Sequence, residues 1–471
     1  MITIIDRWFH LSEQNTTIRT EVTAGATTFM TMSYIIFVQP AVLSQAGMDF
    51  NSVMMATCLS AALASILMGW WANYPIALAS GMGQNFFFTF TVVLAAGIPW
   101  QTGLGIVLLS GILFMILNLF RIRQALVDAI PESLKHSIAA GIGFFIAFIG
   151  LAEAGIIVRN NDPLSGAILG GDLSAPSLLE NLRVYEYAAG ALKLGDLSNP
   201  ATLLSLFGLG AILFFQVRKI KGAILWGILL TLILSLLTRQ VHWQGFAAAP
   251  PSLEPTFFKA NFMSVFRWEL IPIVIVFLFI DFFDTIGTLI GVSARAGFIR
   301  QGKLPRASRA LWADATGTVA GALLGTSTVT SYIESAAGVE EGGRTGLTAM
   351  VTGSLFLLAI FFSPLIRMVG GGVAATEGSP LLLYPITAPA LIIVGCLMIQ
   401  SAARVNWSEL TEAIPAFLIM IGMALTYSIA DGLAFGFISY PILKFFAGRG
   451  KEISWLVYAL GAIFTARYIF L

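Results

Sequence analysis

Residues 323–339 read LLGTSTVTSYIESAAGV, a run of small and hydroxylic side chains closed by an acid, Glu334, between long apolar stretches. The part from Thr326 to Tyr332 is β-branched and hydroxylic, which suits a short extended piece better than a helix. A half-helix is expected to start at about Ser331 to Glu334. A second acid, Asp284, stands in FLFIDFFDTIGTLIGV (277–292). A charge at the centre of a bilayer costs roughly 2.5–3.5 kcal/mol on insertion scales, so such an acid marks a pathway or a site. Broken segments beside intramembrane acids describe a polar pocket at membrane depth, the form of a transporter's substrate site.

The rest of the chain supplies the membrane. Of 471 residues, 57% are hydrophobic and 11% charged, with mean hydropathy +0.86. Soluble domains carry about 25% charged residues. Charge this sparse cannot solvate a large globule, so most of the exterior must face lipid. The net charge of +1 argues against a nucleic-acid partner. Cys58 and Cys396 sit in apolar runs and read as small core hydrophobes, with no disulfide or metal site implied. The polar start, MITIIDRWFHLSEQNTTIRTE, lacks the apolar region and cleavage site of a signal peptide.

Apolar runs near 22–44, 52–72, 75–95, 101–120, 136–158, 201–216 and 221–238 form a first set of spans. Runs near 269–293, 308–325, 327–341, 346–366, 384–402, 412–428 and 430–446 form a second, giving about fourteen in an all-α polytopic membrane protein. The stretch 455–471 either crosses the membrane or lies on its surface. Arg7, Arg19, Arg121, Arg123, Arg218, Lys219, Lys221, Arg295, Arg300, Lys303, Arg306, Arg309, Lys444, Arg449 and Lys451 fall on one side when the spans alternate. The acid-bearing loop 159–199 (Asp162, Asp172, Glu180, Glu186, Asp196) falls on the other, which makes the N-terminus cytoplasmic.

The two sets resemble each other. PESLKHSIAAGIGFFIAFIGLA (131–152) echoes PITAPALIIVGCLMIQSAARVN (385–406), and PIALASGMGQNFF (75–87) matches the broken segment around Glu334. An odd number of spans per set inverts the second copy, and paired broken segments in inverted repeats point to a midplane site. Pro75, Gly81 and Gly83 discourage a continuous helix, with Gln84 and Asn85 beginning one. Two half-helix N-termini would offer N–H donors to a flat polar ligand. Asp284 and Glu334 would accept from its N–H groups, and a buried carboxyl can also carry a proton. Thr288 shares Asp284's helix face, and Ser335 opens the half-helix with Glu334. Asp281 reads equally as a structural contact, while Asp314 reads as helix packing or capping. Glu153 lies at a span end within reach of water. Phe86, Phe87, Phe88 and Phe90 read as lipid or core contacts.

GMGQN (81–85), FFDTIGTLIGV (282–292), residues 313–349 and EAIPAFL (412–418) together resemble the xanthine/uracil permease superfamily, and within it the hypoxanthine–guanine–adenine permease branch. The similarity runs from TAGATTFMTMSYIIFVQP (23–40) to TYSIADGLAFGFISYPILK (426–444). It implies two inverted repeats of about seven spans, with a short strand and half-helix in spans 3 and 10. It implies a core domain from 1–120 and 269–366, a gate domain from 121–268 and 367–446, and a separate C-terminal segment, 447–471. The implied activity is elevator-like, proton-coupled import of purine bases by a homodimer, with no enzymatic step and no cofactor or metal. Asp284 and Glu334 fall on the family's acidic ligand positions, where the proton would also be carried. Met82 and Gly83 match a stretch whose backbone contacts the base, and Thr27 and Thr28 match polar first-span positions. Gln84, Phe86 and the Gln39-Pro40 pair depart from the branch's pattern, which bears on the choice among purines. An anion carrier of the sulfate or bicarbonate type is the rival reading, opposed by two acids that would repel an anion. An aspartyl protease lacks its GxGD-type environment.

Overall fold

The computed structural model describes residues 2–119, 131–159, 192–298, 304–374 and 382–470. The expectations for Arg121, Arg123, Arg300, Lys303, Asp162, Asp172, Glu180 and Glu186 lie outside the described residues. A surface helix, α1 (Ile2–Phe9), precedes α2 (Ile18–Met32), α3 (Ile35–Gln45), α4 (Phe50–Leu67), strand β1 (Leu78–Ser80), α5 (Met82–Phe86) and α6 (Trp100–Leu119). Next come α7 (Glu132–Glu153), the hairpin β2 (Ile157–Arg159) with β3 (Leu192–Leu194), α8 (Pro200–Val217) and α9 (Ala223–Leu237). The second half holds α10 (Ile271–Arg295), α11 (Ala307–Leu324), β4 (Val329–Ser331), α12 (Ser335–Glu340) and α13 (Gly346–Ala359). It closes with α14 (Ala388–Ile399), α15 (Leu410–Leu425), α16 (Ile429–Phe446) and α17 (Trp455–Phe470). Among the described residues, 8 helical stretches are long and apolar enough to cross a membrane, and shorter apolar helices accompany them.

The helices pack as two groups. In one, α13 lies along α4 and α2, α11 along α6 and α4, and α12 along α2. In the other, α7 lies along α14 and α15, α15 along α16, and α8 along α9. Lipid chains are as apolar as leucine, so helices in a bilayer associate through close backbone approach at small residues. A Cβ on Gly143 of α7 would stand 2.7 Å from the Gly395 carbonyl oxygen, and one on Gly395 would stand 2.5 Å from that of Gly143. The same device joins Gly69 to Gly346 in the first group. Glu21, fully buried on α2, accepts from the Arg344 N–H (2.9 Å) and the Thr348 hydroxyl (2.6 Å) and so pins the start of α13.

One sequence expectation is met and one is corrected. The first apolar run, 22–44, lies within one span, Ile18–Gln45, whose helix is interrupted at Ser33–Tyr34. The Thr31 hydroxyl bonds back to the Thr27 and Thr28 carbonyls (3.1 and 2.8 Å) just before the interruption. Cys58 is buried, but Cys396 lies on the exposed face of α14 and is no core residue.

Candidate substrate site

Both breaks form as a strand followed by a short helix, and the strands meet. β1 and β4 pair antiparallel with Leu78 opposite Ser331, Ala79 opposite Thr330 and Ser80 opposite Val329. Within a bilayer every backbone polar group must be satisfied by protein, and side chains from neighbouring helices complete this three-residue ladder. Ser65 of α4 donates to the Leu78 carbonyl (3.0 Å) and accepts from its N–H (2.8 Å). Thr318 of α11 does the same for Val329, at 2.9 and 3.1 Å. Gly81 N–H bonds the Thr328 carbonyl (3.0 Å), and the Tyr332 hydroxyl bonds the Ser80 carbonyl (2.5 Å). Gln39 of α3 donates to Thr326 (2.9 Å), which also faces Ser80 (3.0 Å). Asn85 accepts from Ser327. These buried hydroxyls explain the composition of residues 326–331 better than ligand contacts would.

Glu334 begins the α12 half-helix and Asp284 faces it from α10. The Tyr34 hydroxyl donates to Glu334 Oε1 at 2.8 Å, and the Gln84 amide donates to Asp284 Oδ2 at 3.4 Å. Tyr34 and Tyr332 lie beside each other next to Glu334, their ring centroids 6.5 Å apart. Asp284 and Glu334 are partly exposed, whereas Asp281 and Asp314 are 1% and 0% exposed. Asp281 accepts from Thr318 (3.0 Å) and Asp314 from Ser331 (3.3 Å). Burial thus separates two partly exposed acids from two tied into the scaffold. Among the described residues, no Lys or Arg pairs with Asp284 or Glu334. Each carboxylate spends one oxygen on a protein donor and keeps acceptor capacity for a ligand.

The other expected site residues divide. Met82 and Gly83 open α5 beside Gln84, with Gly83 held against Ile142 of the second helix group. Ser335 is fully buried and its hydroxyl accepts from the Ala77 N–H (3.0 Å), so it braces the chain entering β1. Thr28 is fully buried against Gly338 between α2 and α12. Thr288 is buried one turn beyond Asp284. Phe86, Phe87 and Phe88 are core residues, and Phe90 meets Tyr427 across the boundary between the groups. Tyr34 and Tyr332 escaped the sequence reading. Tyr332 closes a segment read as broken and Tyr34 lies inside a run read as one span, and an isolated tyrosine in an apolar run carries no signal of a partner so far along the chain.

A profile of the xanthine/uracil permeases, described as a permease family, matches residues 19–169 and 181–435. The chain belongs to this permease family. It is 41% identical to the adenine permease AdeP of Escherichia coli over 99% of this chain and 96% of that protein. It is 41% identical to the guanine/hypoxanthine permease PbuO of Bacillus subtilis over 97% of this chain and 98% of that protein. Among solved structures, the transmembrane domain of the cyanobacterial bicarbonate transporter BicA superposes with a TM-score of 0.60 at 15% identity. That match covers 88% of this chain and 97% of BicA's domain. The permease therefore has the fold class of a polytopic membrane transporter.

Proposed function

We propose that this permease imports purine nucleobases of the adenine, guanine and hypoxanthine type, which the two bacterial relatives carry in their names. The observation that carries the reading is the placement of two acids beside strand-linked half-helices, Glu334 at the start of α12 and Asp284 of α10 against Gln84 of α5. Each acid offers a carboxylate oxygen to the N–H edge of a flat base, while the Met82 and Gly83 N–H groups face its acceptor edge. Thr288, Thr28 and Ser335 support the pocket from behind it. One of the two acids holds the coupled proton, since an acid at membrane depth is neutral when protonated and can cross with the base.

In this reading about fourteen spans form two inverted repeats. The first helix group is the core domain, the second the gate domain, and the N-terminus lies in the cytoplasm. The protein works in the cell membrane as a homodimer, with the core moving past the gate like an elevator. The antiparallel meeting of β1 with β4 supports the inverted relation of the halves. The fold also serves a bicarbonate transporter, but two carboxylates without a neighbouring cation disfavour an anion as cargo here.

Thermal shift of the purified protein with adenine, hypoxanthine, guanine, xanthine, uracil, sulfate and bicarbonate tests the cargo, because a ligand that binds the folded state raises Tm. A shift confined to purines supports the proposal, and a shift with sulfate or bicarbonate alone sinks it. Uptake of the best base into proteoliposomes with and without an inward proton gradient tests the coupling. Uptake indifferent to the gradient would remove the proton.

The two helix groups touch where Gln45 of α3 donates to Glu153 of α7 at 2.9 Å, a contact that this reading puts on the extracytoplasmic side. In an elevator this contact must part. Gln45→Cys with Glu153→Cys, on a Cys396→Ser background because Cys58 is buried, should lose uptake when bridged by a bis-methanethiosulfonate reagent. Reduction should restore it. Uptake that continues through the bridged protein would rule out relative motion of the two groups at this end.

A further inference from the structure

We infer that Tyr34 is a positioning residue for Glu334, holding its carboxylate toward the pocket so that one oxygen is presented to the base. The inference rests on the purine reading and adds a residue to it. Glu334 stands immediately before α12 with helical backbone angles. Its side chain makes no capping hydrogen bond to that helix. The Tyr34 hydroxyl takes Oε1 instead, at 2.8 Å, from the other half of the chain. A phenol is well suited to this, being a single rigid donor on a ring with two torsions.

Tyr34 is fixed before it acts. It is 1% exposed, its ring stands 6.5 Å from that of Tyr332, and it sits at the break between α2 and α3. Beside that break the Thr31 hydroxyl also reaches the Glu334 carbonyl, at 3.4 Å. The first span therefore holds both the backbone and the carboxylate of the tenth-span acid. The two tyrosines have separate tasks, because the Tyr332 hydroxyl is spent on the Ser80 carbonyl and secures strand β1.

Tyr34→Phe keeps the ring and removes the donor. The expected result is a KM for the preferred base raised about tenfold, as for loss of a hydrogen bond to a charged group. Vmax and the Tm of the ligand-free protein should stay near those of the parent. Tyr332→Phe should do the reverse, lowering the ligand-free Tm with a smaller change in KM. A Tyr34→Phe KM within twofold of the parent would overturn the inference. So would a fall in ligand-free Tm and Vmax with KM unchanged, the mark of a purely structural role. Should that variant yield no folded protein, Glu334→Asp keeps the charge but withdraws it from Tyr34, and full affinity there would also overturn it. Failure of the parent protein to bind any purine would sink the cargo proposal instead, so the two failures are distinct.

Discussion

Glu334→Gln is expected to lower purine affinity by about a hundredfold while leaving the protein folded, with Asp284→Asn acting in the same direction. Hydrogen bonds to charged groups contribute about 1.5–3 kcal/mol, and roughly 1.4 kcal/mol is a factor of ten. An amide has the shape of the carboxylate, and its oxygen can still accept from Tyr34, so the scaffold loses little. What changes is the group facing the pocket. An –NH2 now meets the N–H edge of the base, and two donors cannot satisfy each other. The partial exposure of both acids argues that the substitution is tolerated, since neither is packed into the interior as Asp281 and Asp314 are. Equilibrium binding of labelled base to purified variants is the check, alongside the Tm without ligand. Undiminished affinity in both variants would remove these acids from the site.

Gly346→Val is expected to abolish folded protein. A Cβ there would lie inside the contact distance of the Gly69 carbonyl oxygen, and the Gly69 backbone carbon beside it stands only 2.5 Å away. The obstacle is backbone on the facing span, so no side chain can swing aside. Overpacking costs about 1–3 kcal/mol where neighbours relax, and more where they cannot. The glycine also opens α13, where its N–H bonds Asn73 Oδ1 at 2.6 Å, so displacing it would strip that cap as well. The control is Gly210→Val on exposed α8, which meets nothing within 4 Å. Size-exclusion profiles of the detergent-solubilised variants separate the outcomes. A sharp monodisperse peak for Gly346→Val would mean that α13 and the turns after α4 can separate without loss of the fold.

The membrane class, the apolar spans, the two broken segments and the acids beside them were legible because each is a local property. Apolarity follows from composition, a break from Gly, Pro and β-branched residues, and an acid among leucines from its own desolvation cost. The reading of Thr326–Tyr332 as extended matched β4, and a helix does follow Glu334. Other features needed the folded chain. Ser335 and Thr28 are polar residues of the type a site uses, yet their hydroxyls face the scaffold, because which side of a short helix meets the pocket depends on how its neighbours pack. The break at Ser33–Tyr34 was masked by an unbroken apolar run. Cys396 looked like a core residue because lipid-facing and protein-facing positions of a span are equally apolar.

Composition and local patterning were enough to establish a polytopic membrane protein with intramembrane acids beside two broken spans. Family membership came through motifs that lie along the chain. Tertiary structure decided which polar groups keep one another satisfied and which remain free. Ser65 and Thr318 complete the strand ladder, Gln84 and Tyr34 each hold one acid, and Asp281 and Asp314 are sealed away. The physical reason is that a bilayer supplies no water to satisfy stray donors and acceptors. Polar side chains there are satisfied mainly by other protein groups, and contacts between distant segments such as Tyr34 and Glu334 exist only once the halves have packed.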